Sequence, residues 1–83
     1  MIILSDSRKE ERQLKIIYEP LWKTMKAKGI TTYALIHKYD VGSKVVYNLK
    51  HNKSVTMYNL SRLCRILNCT PNDIVEFLFN EHE

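Results

Sequence analysis

The segment TTYALIHKYDVGSKVVYNL, Thr31–Leu49, restricts the fold more than any other part of this chain. It reads as two short helices joined by a tight turn. Leu35 and Ile36 share one face of the first, with Tyr39 about a turn further along, and Val46 and Leu49 share one face of the second. Asp40, Val41 and Gly42 lie between them, residues that tolerate positive φ set around a valine expected to be buried. Two helices crossing steeply over so short a turn, with an apolar plug, make a helix-turn-helix. That pairing leaves the N-terminus and outer face of the second helix without a partner inside the fold.

With 83 residues the chain supports one domain with a single modest core. An apolar share of 45% beside a charged share of 27% belongs to a soluble globular protein rather than to a membrane or low-complexity chain. The apolar runs Met1–Leu4 and Ile16–Tyr18 are far too short to cross a bilayer, and no secretory signal is present, so a cytoplasmic location is expected. Cys64 and Cys69 are the only cysteines, and a cytosolic chain is expected to keep them reduced and buried. His37, His51 and His82 are scattered and lack ligand spacing with those cysteines, so no metal site is expected. There is no Ser/His/Asp set, glycine-rich phosphate loop or nucleophilic cysteine context. Catalysis, a cofactor and a small-molecule substrate are not expected.

The net charge of +4 matters through its distribution. From Val41 to Asn72 there is no acidic residue, while Lys44, Lys50, Lys53, Arg62 and Arg65 all fall inside. Asp6, Glu10, Glu11 and Glu19 collect before this span, and Asp73, Glu76, Glu81 and Glu83 after it. One face should therefore be positive, the face that carries the second helix of the pair. A polyanion is the natural partner of such a surface, and a DNA major groove admits a helix of that kind.

The elements follow in order. Residues 1–19 form an N-terminal segment that reads in two ways. Met1–Leu4 and Leu14–Tyr18 make two short strands around the polar SDSRKEERQ, or a helix starts at Ser7 with Glu10 completing a capping box. An extended Lys15–Tyr18 is favoured, because its residues are β-prone and Pro20 turns Glu19 away from the α region. Residues 20–83 form the main domain. Helix 1 spans Pro20–Lys28, proline-led and ended by Gly29 in the left-handed position with Ile30 folding back on Met25. Helix 2 follows Thr31 as N-cap and ends near Tyr39. Helix 3 spans Ser43–His51, capped by Gly42 or Ser43. Helix 4 spans Met57–Leu67 behind Thr56, with Met57, Leu60, Leu63, Cys64 and Leu67 as a buried stripe. Helix 5 opens with the cap Thr70-Pro71-Asn72-Asp73 and continues through the nearly unbroken apolar run to Phe79. Part of that apolar surface is expected to cover the N-terminal segment or meet a second subunit.

The set Leu21, Gly29-Ile30-Thr31, Leu35, Val41, Val46, Leu49, Leu60, Leu63, Cys64, Leu67 and Ile74, with the intervals between them, resembles the Cro and phage-repressor class of helix-turn-helix regulators, also called the xenobiotic-response-element family. The resemblance covers about Leu21 to Phe77, and Leu21-Trp22 looks like the start of helix 1 in small stand-alone members. It implies an all-α, five-helix, lambda-repressor-like DNA-binding domain behind a short extended segment. Three positions depart from the family pattern. Ile36 stands where alanine is usual at the helix–helix contact, Asp40 where glycine is common, and Gly42 where a polar cap is usual.

The resemblance makes helix 3 the recognition helix of a sequence-specific double-stranded DNA-binding regulator, with repression the expected mode. Ser43, Lys44, Tyr47 and Asn48 then read bases. Lysine suits guanine O6 and N7, and asparagine suits adenine N6 and N7; Val45 is an apolar candidate for a thymine methyl. Thr31, Thr32, Lys50, His51, Asn52 and Lys53 are the expected backbone contacts, which set register rather than sequence preference. A homodimer through the N-terminal segment and the Phe77–Phe79 end is an expected arrangement, because such readers commonly span two half-sites. With no room for a separate sensing domain, regulation is expected through dimerisation, a partner protein or abundance. Two rivals stay open. One is a protein-interaction module of the same fold, such as an antitoxin or anti-repressor partner, which would not need the basic and amide residues of helix 3. The other is non-specific or RNA binding, which would favour an exposed aromatic stripe that Tyr18, Tyr33, Tyr39, Tyr47 and Tyr58 do not form.

Overall fold

In the computed structural model, residues 14–79 are described. The expected strand at Met1–Leu4 and the capping box from Ser7 to Glu10 lie outside them. The chain runs β1 (Leu14–Ile17), α1 (Glu19–Lys28), α2 (Thr32–His37), α3 (Ser43–Lys50), α4 (Met57–Leu67), a 3-10 turn (Pro71–Asp73) and β2 (Glu76–Phe79). The four helices start and stop on local signals. Pro20 sits in the first turn of α1, where its missing N–H costs nothing. Gly29 ends that helix at φ 71°, and the Ile30 N–H donates back to the Met25 carbonyl at 3.0 Å. The Thr31 and Thr56 hydroxyl oxygens accept from the Ala34 and Asn59 backbone N–H groups, each at 3.1 Å, and so open α2 and α4. Gly42 rather than Ser43 is the cap of α3, and it offers no side-chain bond.

The core is a cluster of Tyr18, Leu21, Met25, Leu35, Val41, Val46, Leu49, Leu63, Leu67 and Ile74. Every helix contributes to it, so the angle between α2 and α3 is set by shared side chains rather than by the turn alone. Removing each aliphatic side chain from water is worth roughly 2 kcal/mol. Leu35 and Leu49, both fully buried, therefore anchor the helix pair. Ile36 is half-buried beside the core, and the larger side chain is accommodated where the family pattern has alanine.

Two expectations need correction. The fold is not five-helical: the fifth helix is a single 3-10 turn followed by a strand. The cap that opens it does form, with the Thr70 N–H donating to the Asp73 carboxylate at 3.3 Å. Beyond Ile74, however, every residue to Phe79 except Glu76 is β-branched, aromatic or leucine, and β1 supplies a strand for them to pair with. The two strands pair antiparallel, Leu14 opposite Phe79 and Ile17 opposite Glu76. The protein is therefore mostly helical with a small two-stranded sheet. The strand begins at Leu14 and ends at Ile17, one residue before the Lys15–Tyr18 frame, because Tyr18 turns out of extended conformation at ψ 26° to cap α1. The second correction concerns α4. Leu63 and Leu67 are buried and Leu60 and Cys64 are half-buried, but Met57 is 79% exposed. At the first turn of α4 the stripe has already run off the core and faces the groove between α4 and the sheet.

Candidate nucleic-acid interface

The turn between α2 and α3 aims the site. Asp40 carries the left-handed conformation at φ 60°, the position where glycine is common in the resembling class. Gly42 does not share it: its φ is −60°, so positive φ is needed at one residue of this turn and not two. Val41 is buried as expected, and its N–H donates to the Leu35 carbonyl at 2.8 Å. The turn is closed from outside by Arg62 of α4, whose guanidinium Nη2 donates to the Tyr39 carbonyl at 2.9 Å and reaches the Asp40 carbonyl at 3.4 Å. From the sequence Arg62 reads only as one more cation off the α4 stripe. Its bracing role depends on a neighbour far away in the chain, and no local signal reports it.

α3 divides cleanly into two sides. Val46 and Leu49 are buried, while Ser43, Lys44, Tyr47 and Lys50 are exposed and Asn48 is half-buried. Lys44, Tyr47, Asn48 and His51 follow the three- and four-residue spacing of one helical face. Val45, an apolar candidate for the groove, instead packs partly against the core. Thr31 is exposed and Thr32 half-buried at the start of α2. The Thr31 oxygen serves Ala34, which leaves the hydroxyl hydrogen for another acceptor.

Beyond α3 the chain is unusually well held for an exposed loop. The Lys53 N–H donates to the Asn48 carbonyl at 2.8 Å, and Asn52 takes φ 56° to allow the reversal. Tyr18 supplies the deepest link. Its ring is buried in the core, and its hydroxyl donates to the Lys53 carbonyl at 2.7 Å. Burial pushes the Tyr18 hydroxyl above its ordinary range, which keeps the proton that makes this bond. Tyr18 reads from the sequence as an apolar residue of the N-terminal segment, so this support was not legible there. Next to it, the Tyr47 ring stacks on the His51 ring at 4.0 Å between centroids and 26° between planes. His51 Nδ1 lies 2.8 Å from the Tyr47 carbonyl, and the Lys53 ammonium is 5.7 Å from the Tyr47 ring centre. Of the residues singled out from the sequence, the structure thus brings Tyr47, His51 and Lys53 into one cluster. Thr31 and Thr32 sit apart, on α2.

Cys64 and Cys69 are free and half-buried, and burial pushes both thiols above the usual range. Neither has the depressed pKa of a nucleophile. Among the described residues no group of three or more His, Cys, Asp or Glu side chains is placed to hold a metal ion. No helix there is long and apolar enough to cross a membrane.

The family model of the Cro/C1-type helix-turn-helix DNA-binding domain matches residues 20–80. A solved structure of the transcriptional regulator VanUg, in its second crystal form, resembles this chain with a TM-score of 0.75 and 26% sequence identity. The alignment covers 82% of this chain and 91% of that one. No curated protein sequence matches.

Proposed function

The chain belongs to the family of Cro/C1-type helix-turn-helix DNA-binding domains, and we propose that it is a sequence-specific regulator of transcription that reads the major groove with α3. The observation that carries this reading is the two-sidedness of α3. Its apolar residues face the core, and its exposed residues are cations and hydroxyls, with the half-buried amide of Asn48 beside them, in a span without acids. Lys44, Tyr47 and Asn48, with Ser43 at the helix start, are the base readers. Thr31, Thr32, Lys50, His51, Asn52 and Lys53 hold the phosphates and set the register. Its mode is repression, by occupying an operator with α3 in the groove.

The regulator acts as a homodimer, with the sheet as the contact. Phe77, Phe79 and Leu14 are exposed large apolar side chains on one face of the β1–β2 sheet, and Leu78 is exposed on the other. The same patch favours the rival reading, a protein-interaction module that keeps the fold and docks a different protein.

Selection from random double-stranded DNA, then titration of the winner and a scrambled duplex at two salt concentrations, tests both. A palindrome preferred by about a thousandfold fits the dimeric reader. A single half-site keeps the reader and removes the dimer. Weak, steeply salt-dependent binding with no enriched sequence leaves charge alone and hands the function to a protein partner. Lys44→Ala and Asn48→Ala should each lower preference at one base pair, whereas Lys53→Ala should weaken all DNA alike.

A further inference from the structure

Tyr47 is 49% exposed, yet it is not a free side chain. Side chains on a helix lean toward its N-terminus, so the residue four positions on lies over the one before it. His51 uses this geometry. Its ring covers one face of Tyr47 at 4.0 Å, close to parallel, and its Nδ1 is tied to the Tyr47 main chain at 2.8 Å. The imidazole is thus fixed at both its face and its edge, and it fixes the phenol in turn. The Lys53 ammonium, at 5.7 Å from the ring centre, is near the outer limit of attraction to an aromatic face and stays available to a phosphate. Its main chain is pinned by the core hydroxyl of Tyr18.

We infer that His51 is a positioning residue for base reading: it holds the Tyr47 ring in one orientation before DNA arrives, so that a residue outside the reading set determines how sharply Tyr47 discriminates its base pair. A tyrosine that must be ordered on binding loses affinity for its correct base and little for a wrong one, where it makes no oriented contact. A phosphate contact behaves differently. It adds the same amount to every sequence. The inference rests on α3 being the reading helix, and it changes the part expected of His51 from a backbone grip to a determinant of sequence preference.

The test compares wild type with His51→Ala, His51→Phe, Tyr47→Ala and the Tyr47→Ala/His51→Ala double variant. Binding is measured against the selected site and every single-base substitution of it. All the replaced side chains are exposed, and thermal melting of each variant checks that the fold is kept. His51→Ala should lose about threefold to tenfold of the preference at one base pair, the share expected for one unordered side chain. That base pair should be the one lost in Tyr47→Ala. His51→Phe, which keeps a flat ring at that spacing but no imidazole nitrogen, should restore the preference there. In the double variant the His51 effect should vanish. An equal loss at all sites in His51→Ala, or additive effects in the double variant, would overturn the positioning role while leaving α3 as the reader. A wild-type protein with no preference at any base pair would overturn both.

Discussion

Around α3, the supporting bonds are made mostly by short steps along the chain. The Thr31 cap, the Asp40 turn, the Tyr47–His51 stack and the Lys53–Asn48 bond all join residues within a few positions of one another. At the opposite extreme, the β1–β2 sheet joins the two ends of the described chain through a backbone ladder, and its β2 side chains are all exposed. One region presents polar atoms on a rigid frame; the other presents apolar surface on two four-residue strands. A base-reading surface needs the first, since discrimination depends on held geometry. An association surface tolerates the second, because apolar contact is non-directional.

Truncating the two regions should separate them most strongly. Leu49→Ala, beneath α3, should destabilise the protein by about 3 kcal/mol, whereas Leu78→Ala in the sheet, 41% exposed, should cost under about 1 kcal/mol. Chemical denaturation of both variants checks this, and equal losses would erase the distinction. Next comes Arg62→Ala. Leaving the Tyr39 and Asp40 carbonyls without their charged donor should cost roughly 1.5 kcal/mol and loosen the turn that aims α3. Hydrogen exchange should then quicken at the start of α3 and not in the strands. Tyr18→Phe should cost about 1 kcal/mol and lower DNA affinity through the Lys53 loop, although Tyr18 lies in the core. A variant with full affinity would detach the core from the loop.

Alkaline pH acts on the same support. The folded protein holds the Tyr18, Cys64 and Cys69 protons more tightly than the unfolded chain does. Their contribution is therefore complete below the ordinary thiol value of 9.0 and is lost as pH rises past it. A melting temperature that fell first in mild acid instead would need another group. The smallest expected effect is a gain. Gly42 has normal φ and open space where a Cβ would sit, so Gly42→Ser should stabilise α3 by about 0.5 kcal/mol, read as a shift in melting temperature.

The same contrast governs what could be read in advance. The caps at Thr31, Thr56 and Gly29 and the two-sidedness of α3 are local patterns, and they were legible. The Ile74–Phe79 run was not. A short apolar run bounded by a proline turn fits a helix or a strand equally, and the deciding partner, Leu14–Ile17, is at the other end of the chain. Arg62 and Tyr18 stayed hidden for that reason too: each supports the interface by bonding to a carbonyl many positions away. The Tyr47–His51 contact, four residues apart, is available in the spacing, but the resemblance assigns His51 to the DNA backbone rather than to a neighbouring side chain.

If α3 is the reading helix, it is α3 and not the sheet that meets DNA. Backbone amide resonances followed while the selected duplex is titrated in test it most directly. Large shifts are expected at Thr31–Thr32 and along Ser43–Lys53, with none at Glu76–Phe79 beyond those of the protein alone at the same concentration. Shifts concentrated in the strands with α3 silent would contradict it.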